Sequence, residues 1–198
     1  MLPWSKIRLY LRNLSIEYFE SPIASVFHYV GLTPNKVTLL GLLISLIASY
    51  LIFLNEFMLS GILLLIAGWL DMMDGSIARK YGQSSIQGAF LDSVADRISE
   101  AATLIGLFLF YLYQPLDHSY ELILVFIVLF FSMMVSYLRS RGEGFGIDCK
   151  VGIMTRPERV FVLSIGLILN QVQISLIIIT ILSILTVLQR MIYILRRL

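Results

Sequence analysis

The sequence predicts an all-α integral membrane protein: six transmembrane helices preceded by an amphipathic helix at the cytoplasmic interface. Three observations carry that prediction. Of the 198 residues, 58% are hydrophobic and only 14% are charged, where a soluble domain carries about a quarter charged residues. Apolar stretches approaching the roughly twenty residues needed to cross a bilayer recur along the chain. The lysines and arginines, fifteen in all, fall on one side of the resulting arrangement.

Residues 1–33 form the first segment. Trp4, Ile7, Leu11, Leu14 and Tyr18 recur at three- and four-residue spacing, with Lys6, Arg8 and Arg12 on other faces. That pattern predicts a helix lying in the headgroup region. No cleavable signal is expected, since charged residues run through the first twenty positions without an apolar block behind them. Residues 34–198 form the transmembrane domain. Its spans are expected near Val37–Leu54, Leu59–Arg79, Gln87–Tyr113, Tyr120–Leu138, Glu158–Leu169 (extended upstream) and Ile174–Leu195.

Basic residues test this topology, because cytoplasmic loops are enriched in lysine and arginine. With both termini inside, the outer connections lie near Asn55–Glu56, Gln114–Ser119 and Asn170–Gln173, and none contains a basic residue. The net charge of +2 is too small to indicate nucleic acid as a partner. A single cysteine, Cys149, excludes an internal disulfide and a zinc cluster. His28 and His118 are far apart and read as packing or interfacial groups.

Against this apolar background the stretch Leu70–Arg97 carries four aspartates, Asp71, Asp74, Asp92 and Asp96. Each would cost roughly 2.5–3.5 kcal/mol at the centre of a bilayer. Asp71 and Asp74 are i and i+3 near the end of the second span, and Asp92 and Asp96 are i and i+4 near the start of the third. Each pair therefore shares a helix face. The short Lys80–Ile86 connection makes the two helices antiparallel neighbours, so the four carboxylates can converge. Converging carboxylates repel unless protons or cations intervene. Oxygen ligands without histidine or cysteine suit Mg²⁺ or Mn²⁺, and four carboxylates could bridge two ions. Gly75, Ala78 and Gly88 lie on the same faces and leave room for a ligand. Arg79 adds a cation suited to phosphate oxygens.

The run Asp71-x2-Asp74-Gly75-x2-Ala78-Arg79-x8-Gly88-x3-Asp92-x3-Asp96 resembles the motif of the CDP-alcohol phosphotransferase family, with every position filled and its spacing intact. Thr33-Pro34-Asn35-x-Val37-Thr38 resembles the segment that opens that family's first span. The resemblance implies transfer of a phosphatidyl or archaetidyl group from a CDP-lipid to an acceptor hydroxyl, with release of CMP. It implies Asp71, Asp74, Asp92 and Asp96 as ligands of two divalent cations, with Asp96 also the general base. It further implies Asn35, Thr38, Asp71, Gly75, Ala78, Arg79 and Gly88 around the cytidine diphosphate. Paired cations of this kind can stabilise both the attacking and the leaving oxygen.

The acceptor is read from other residues. Gly88-Ala-Phe-Leu-Asp-Ser, Asp96-Arg97 and the following Glu100 resemble the phosphatidylinositol phosphate synthase subgroup, as do Ser136-Tyr-Leu-Arg-Ser-Arg-Gly-Glu143 and Thr155-Arg-Pro-Glu-Arg159. Arg139, Arg141, Arg156 and Arg159 form a cytoplasmic basic cluster suited to a polyol phosphate, with inositol phosphate expected first and glycerol 3-phosphate as the alternative. Glu158 is expected to pair with Arg159 or Arg139. The glycine-rich Gly142–Gly146 run follows a span rather than a strand and reads as a flexible connection. The resemblance also implies a homodimer in a prokaryotic cell membrane, in contact with its lipids and with the active site facing the cytoplasm. Two competing readings fit less well. Intramembrane prenyltransferases use two separated aspartate motifs. A divalent cation transporter would not keep Arg79 and Arg97 beside its ion path.

Overall fold

The structure, a computed structural model, describes residues 32–198. The interfacial helix expected within residues 1–33 therefore lies outside the described residues. Those residues form six α-helices: α1 (Pro34–Phe53), α2 (Phe57–Lys80), α3 (Ile86–Leu112), α4 (Ser119–Gly144), α5 (Arg156–Ile168) and α6 (Val172–Leu195). The chain is an integral membrane protein. Helices α1, α2, α4 and α6 are long and apolar enough to cross a bilayer. At 1.5 Å per residue, α3 is about 40 Å long, but the part up to its middle turn carries Asp92, Asp96, Arg97 and Glu100. Helix α5 has 13 residues and spans only about 20 Å. The upstream helical extension expected for it is absent, because Asp148–Lys150 is not helical.

Helix ends follow from local chemistry. Proline opens α1, where its fixed φ and missing N–H cost nothing. Asn55 and Asn170 take positive φ, 67° and 54°, just past α1 and α5. In each case the next N–H reaches back five residues, Glu56 to Leu51 and Gln171 to Gly166. This double turn satisfies carbonyls that the helix end would otherwise orphan. Gly82 (φ 63°) and Gly146 (φ 76°) serve the same purpose after α2 and α4, with Gln83 bonding to Ala78 and Ile147 to Gly142. The Gly142–Gly146 run is therefore not a flexible connection throughout. Its first three residues are the last turn of α4, and Gly142 is buried against Ile194 and Cys149. Before α4, Asp117 Oδ1 accepts from the Ser119 N–H and hydroxyl, which holds its carboxyl below the usual range.

The described residues divide into two compact units. The first comprises residues 32–43 with Ile66–Asp96, and its buried residues include Val37, Leu70, Met73 and Ile77. The second comprises Ile44–Leu65 with Arg97–Leu198. Its core is built from Ile52, Leu104, Leu107, Val128, Met154, Leu167, Leu176 and Ile179 and their neighbours. Within it α6 packs on α4 and α5.

Small residues set the close approaches in the second unit. A Cβ on Gly106 would lie 2.5 Å from the Ser49 carbonyl oxygen, and one on Gly61 would lie 2.7 Å from that of Ser164. Buried hydroxyls return their protons to carbonyls one turn back, as Ser60 does to Glu56, Thr103 to Ser99 and Ser164 to Val160. Outward positions are apolar instead: Leu43, Tyr50, Ile123, Phe126, Phe130 and Ile181 are all more than half exposed. Small and hydroxyl residues inside with large apolar ones outside is the pattern of helices packing in lipid.

Candidate active site and basic cluster

The last three turns of α2 and the first three of α3 carry the motif. Carboxylate oxygens of Asp71, Asp74 and Asp92 all lie within 4.8 Å of one another. Asp74 is buried, at 6% exposure, while Asp71 and Asp92 are partly open. Three carboxylates this close, with oxygen the sole donor type, make a set of the kind that divalent cations occupy. The residues present therefore fit such an ion.

Asp96 is not among the three. It lies one helical turn beyond Asp92 on α3, on the same face.

Helix α1 closes this group from one side. Gly41 is buried, and a Cβ placed there would meet the Ala67 carbonyl at 3.5 Å and Leu70 Cβ at 3.8 Å. One turn earlier, Thr38 Oγ1 donates to Asp74 Oδ2 at 2.6 Å. The remaining residues expected around a nucleotide also come together in pairs. A Cβ on Gly75 would lie 3.1 Å from Arg79 Nη1, so the guanidinium rests over the bare turn, with Nη2 bonding to Ser76 Oγ at 3.0 Å. A Cβ on Gly88 would lie 3.1 Å from both Asn35 Oδ1 and Ser85 Oγ. Ser85 caps α3 by accepting the Gly88 N–H at 3.0 Å. Ala78 is half-buried on the same face of α2.

The four arginines lie in the second unit and differ in their surroundings. Arg139 Nε bonds to Glu143 at 2.9 Å, an exposed i,i+4 pair. Arg141 stacks over the Phe145 ring, 4.5 Å from its centroid. Arg156 Nη2 reaches Ser99 Oγ on α3 at 2.9 Å. Arg159, 2% exposed, grips Glu100 at 2.6 and 2.9 Å and the Met154 carbonyl at 3.2 Å. The partner expected for Arg159, Glu158, accepts instead from the backbone N–H and hydroxyl of Thr155. This is a capping box opening α5, with Pro157 in its first turn. The T-x-x-E spacing ahead of an apolar run was the signal for it.

Arg190 on α6 lies outside the residues expected at the site. It is 3% exposed, and donates from Nε to the Val151 carbonyl at 2.9 Å and from Nη1 to that of Val135 at 2.5 Å. One turn away, Thr186 Oγ1 accepts the Met154 N–H at 2.9 Å. Together they moor the segment leading into α5 to α6. A lone arginine within an apolar span was the available signal.

Comparison with known proteins decides the family, since a model of the CDP-alcohol phosphatidyltransferase family matches residues 31–194. The chain belongs to the CDP-alcohol phosphatidyltransferase family. Among the members it is similar to is an archaetidylinositol phosphate synthase of Pyrococcus horikoshii, 37% identical over 187 residues and covering 94% of this chain and 93% of that one. A phosphatidylinositol phosphate synthase of Mycobacterium tuberculosis is 32% identical over 161 residues, 79% of this chain and 72% of the relative. Crystal structures of the phosphatidylinositol phosphate synthase of that organism share the fold. The complex with manganese and citrate has a TM-score of 0.81 at 27% identity, covering 89% of this chain and 88% of the other. The complex with CDP-DAG has a TM-score of 0.79 at 27% identity, covering 89% and 93%.

Proposed function

We propose that this CDP-alcohol phosphatidyltransferase moves the phosphatidyl or archaetidyl group of a CDP-lipid onto a hydroxyl of inositol phosphate, releasing CMP. The observation that carries the reading is the convergence of Asp71, Asp74 and Asp92 within 4.8 Å, in a chain whose relatives include inositol phosphate-using synthases. Asp71, Asp74 and Asp92 would hold divalent cations, Mg²⁺ or Mn²⁺. Such ions, when bound, supply positive charge to the diphosphate and to the departing phosphate.

The chain's own residues do the rest. Asp96 accepts the proton of the acceptor hydroxyl as its oxygen attacks the lipid-bearing phosphorus and the bond to the CMP phosphate breaks. Gly75, Ala78 and Gly88 leave the helix faces low enough for the nucleotide, with Asn35 bordering Gly88. Arg79 lies over Gly75 and turns to the diphosphate. Arg139, Arg141, Arg156 and Arg159 hold the acceptor phosphate. Arg139 is released at little cost, since an exposed i,i+4 pair is worth only about 0.3–0.5 kcal/mol. Arg159 retains two of its five N–H groups after meeting Glu100 and Met154.

The proposal extends to topology: α3 and α5 complete six spans, both termini and the aspartates face the cytoplasm of a prokaryotic cell, and two copies assemble in the membrane among its lipids. The one-sided distribution of lysine and arginine supports this orientation.

The test is CMP release by purified protein with CDP-diacylglycerol, or its archaeal ether counterpart, and Mg²⁺ or Mn²⁺. Release is expected with inositol phosphate. Release only with glycerol 3-phosphate would reassign the acceptor, and no release with any polyol or polyol phosphate would overturn the reaction.

A further inference from the structure

We infer that Thr38 is a positioning residue for Asp74, acting on the proposed cation site through that carboxylate and not by touching the nucleotide. The inference rests on the reading of Asp71, Asp74 and Asp92 as cation ligands and deepens it.

Three features of α1 carry it. Thr38 and Asp74 are both 6% exposed, so hydroxyl and carboxylate are packed together. Its Oγ1 lies 2.6 Å from Asp74 Oδ2 and 3.1 Å from the Pro34 carbonyl. A hydroxyl has one proton to give, and the shorter, charge-assisted contact to the carboxylate is the stronger of the two. The contact also joins two helices, α1 and α2, where Gly41 brings their backbones close.

The chemistry explains why a hydroxyl suits this place. A carboxylate has two oxygens and about four lone-pair sites. One donor on Oδ2 fixes the rotation of the group and leaves other lone pairs for an ion. Arginine or lysine in the same place would fix it too, but its charge would repel the cation. Threonine is neutral and, branched at Cβ, restricted at χ1, and in the rotamer that also sets Oγ1 beside the Pro34 carbonyl it orients the ligand without that penalty. Outer partners of this kind typically change metal affinity or activity on the order of 10- to 100-fold when removed.

The test uses the full chain in detergent, without CDP-lipid, and reads Mn²⁺ binding from the electron paramagnetic resonance of the free ion. Thr38→Val, nearly isosteric, is expected to weaken Mn²⁺ binding on the order of 10- to 100-fold, with cooperative unfolding retained in metal-free buffer. Thr38→Ser, which keeps the hydroxyl, should restore wild-type affinity. Metal-free binding of the CDP-lipid should be the same in both variants. Wild-type Mn²⁺ affinity in Thr38→Val, or a loss confined to CDP-lipid binding, would overturn the inference. If Thr38→Val does not fold, Thr38→Ala removes the same hydroxyl with less bulk and faces the same outcomes. Asp92→Asn separates the two levels. Should it bind Mn²⁺ as the wild type does, the cation reading itself fails, and the role of Thr38 falls with it.

Discussion

The guanidinium of Arg159 on α5 meets the carboxylate of Glu100 on α3 through two contacts, 2.6 and 2.9 Å, with the side chains only 3% and 9% exposed. A buried pair of this geometry resists loss of one partner far more than loss of both. Glu100→Leu alone should therefore destabilise the protein by about 3–5 kcal/mol. Glu100→Leu with Arg159→Met should recover most of that stability while CMP release stays low. Thermal unfolding in detergent, read beside activity, checks both halves. A double variant as active as the wild type would remove the pair from the mechanism.

Asp96→Asn should abolish turnover, by roughly 10²- to 10⁴-fold, while CDP-lipid binding stays measurable. The amide keeps the shape of the side chain but cannot accept the hydroxyl proton. Near-normal turnover in this variant would show that another group is the base.

Chelation with EDTA should silence CMP release, and Mg²⁺ or Mn²⁺ should restore it. Asp71→Asn and Asp92→Asn should each prevent restoration at metal concentrations that saturate the wild type. Full activity in EDTA would contradict the cation reading.

Gly106 and Gly88 should respond differently to alanine. At Gly106 the new Cβ would fall 2.5 Å from a backbone carbonyl oxygen of α1, that of Ser49, so the helices must part. A loss of about 1–3 kcal/mol follows, the usual range for overpacking. At Gly88 the nearest atoms are the ends of the Asn35 and Ser85 side chains, each at 3.1 Å, and they can give way. Gly88→Ala should keep its Tm and raise the KM for the CDP-lipid. Comparing Tm and KM for the two variants checks both expectations.

Arg156→Gln should raise the KM for the phosphorylated acceptor and leave that for the CDP-lipid unchanged. Glutamine ends two bonds short of the Nη2 that now meets Ser99 at 2.9 Å, and it lacks the charge that phosphate requires. A rise in both KM values would point to a general structural fault.

Much of this was legible in the sequence because it depends on local period and local cost. Charges at i, i+3 and i+4 in an apolar helix must share a face whatever surrounds them, so Asp71 with Asp74 and Asp92 with Asp96 were readable as pairs. Spans were readable from length and hydropathy, and four helices of the required length and composition stand where expected. The fifth differs because the segment before it is fastened by tertiary contacts, Arg190 to Val151 and Thr186 to Met154. No pattern within that segment announces them.

Long-range pairing is where sequence spacing stops. Helical period placed Asp71 with Asp74 and Asp92 with Asp96, but that oxygens from both helices come within 4.8 Å of one another is a property of two helices set side by side. Glu158 and Glu100 were both available to Arg159. Burial against α3 selected Glu100, while Glu158 turned to cap its own helix. The sequence by itself determined the helices, the membrane class and the motif that marks the family, since each follows from neighbours within a few turns. Only the tertiary structure decided that Thr38 faces Asp74, because a hydrogen bond between residues thirty-six apart depends on how closely two backbones pack, and Gly41 permits that contact from outside the motif.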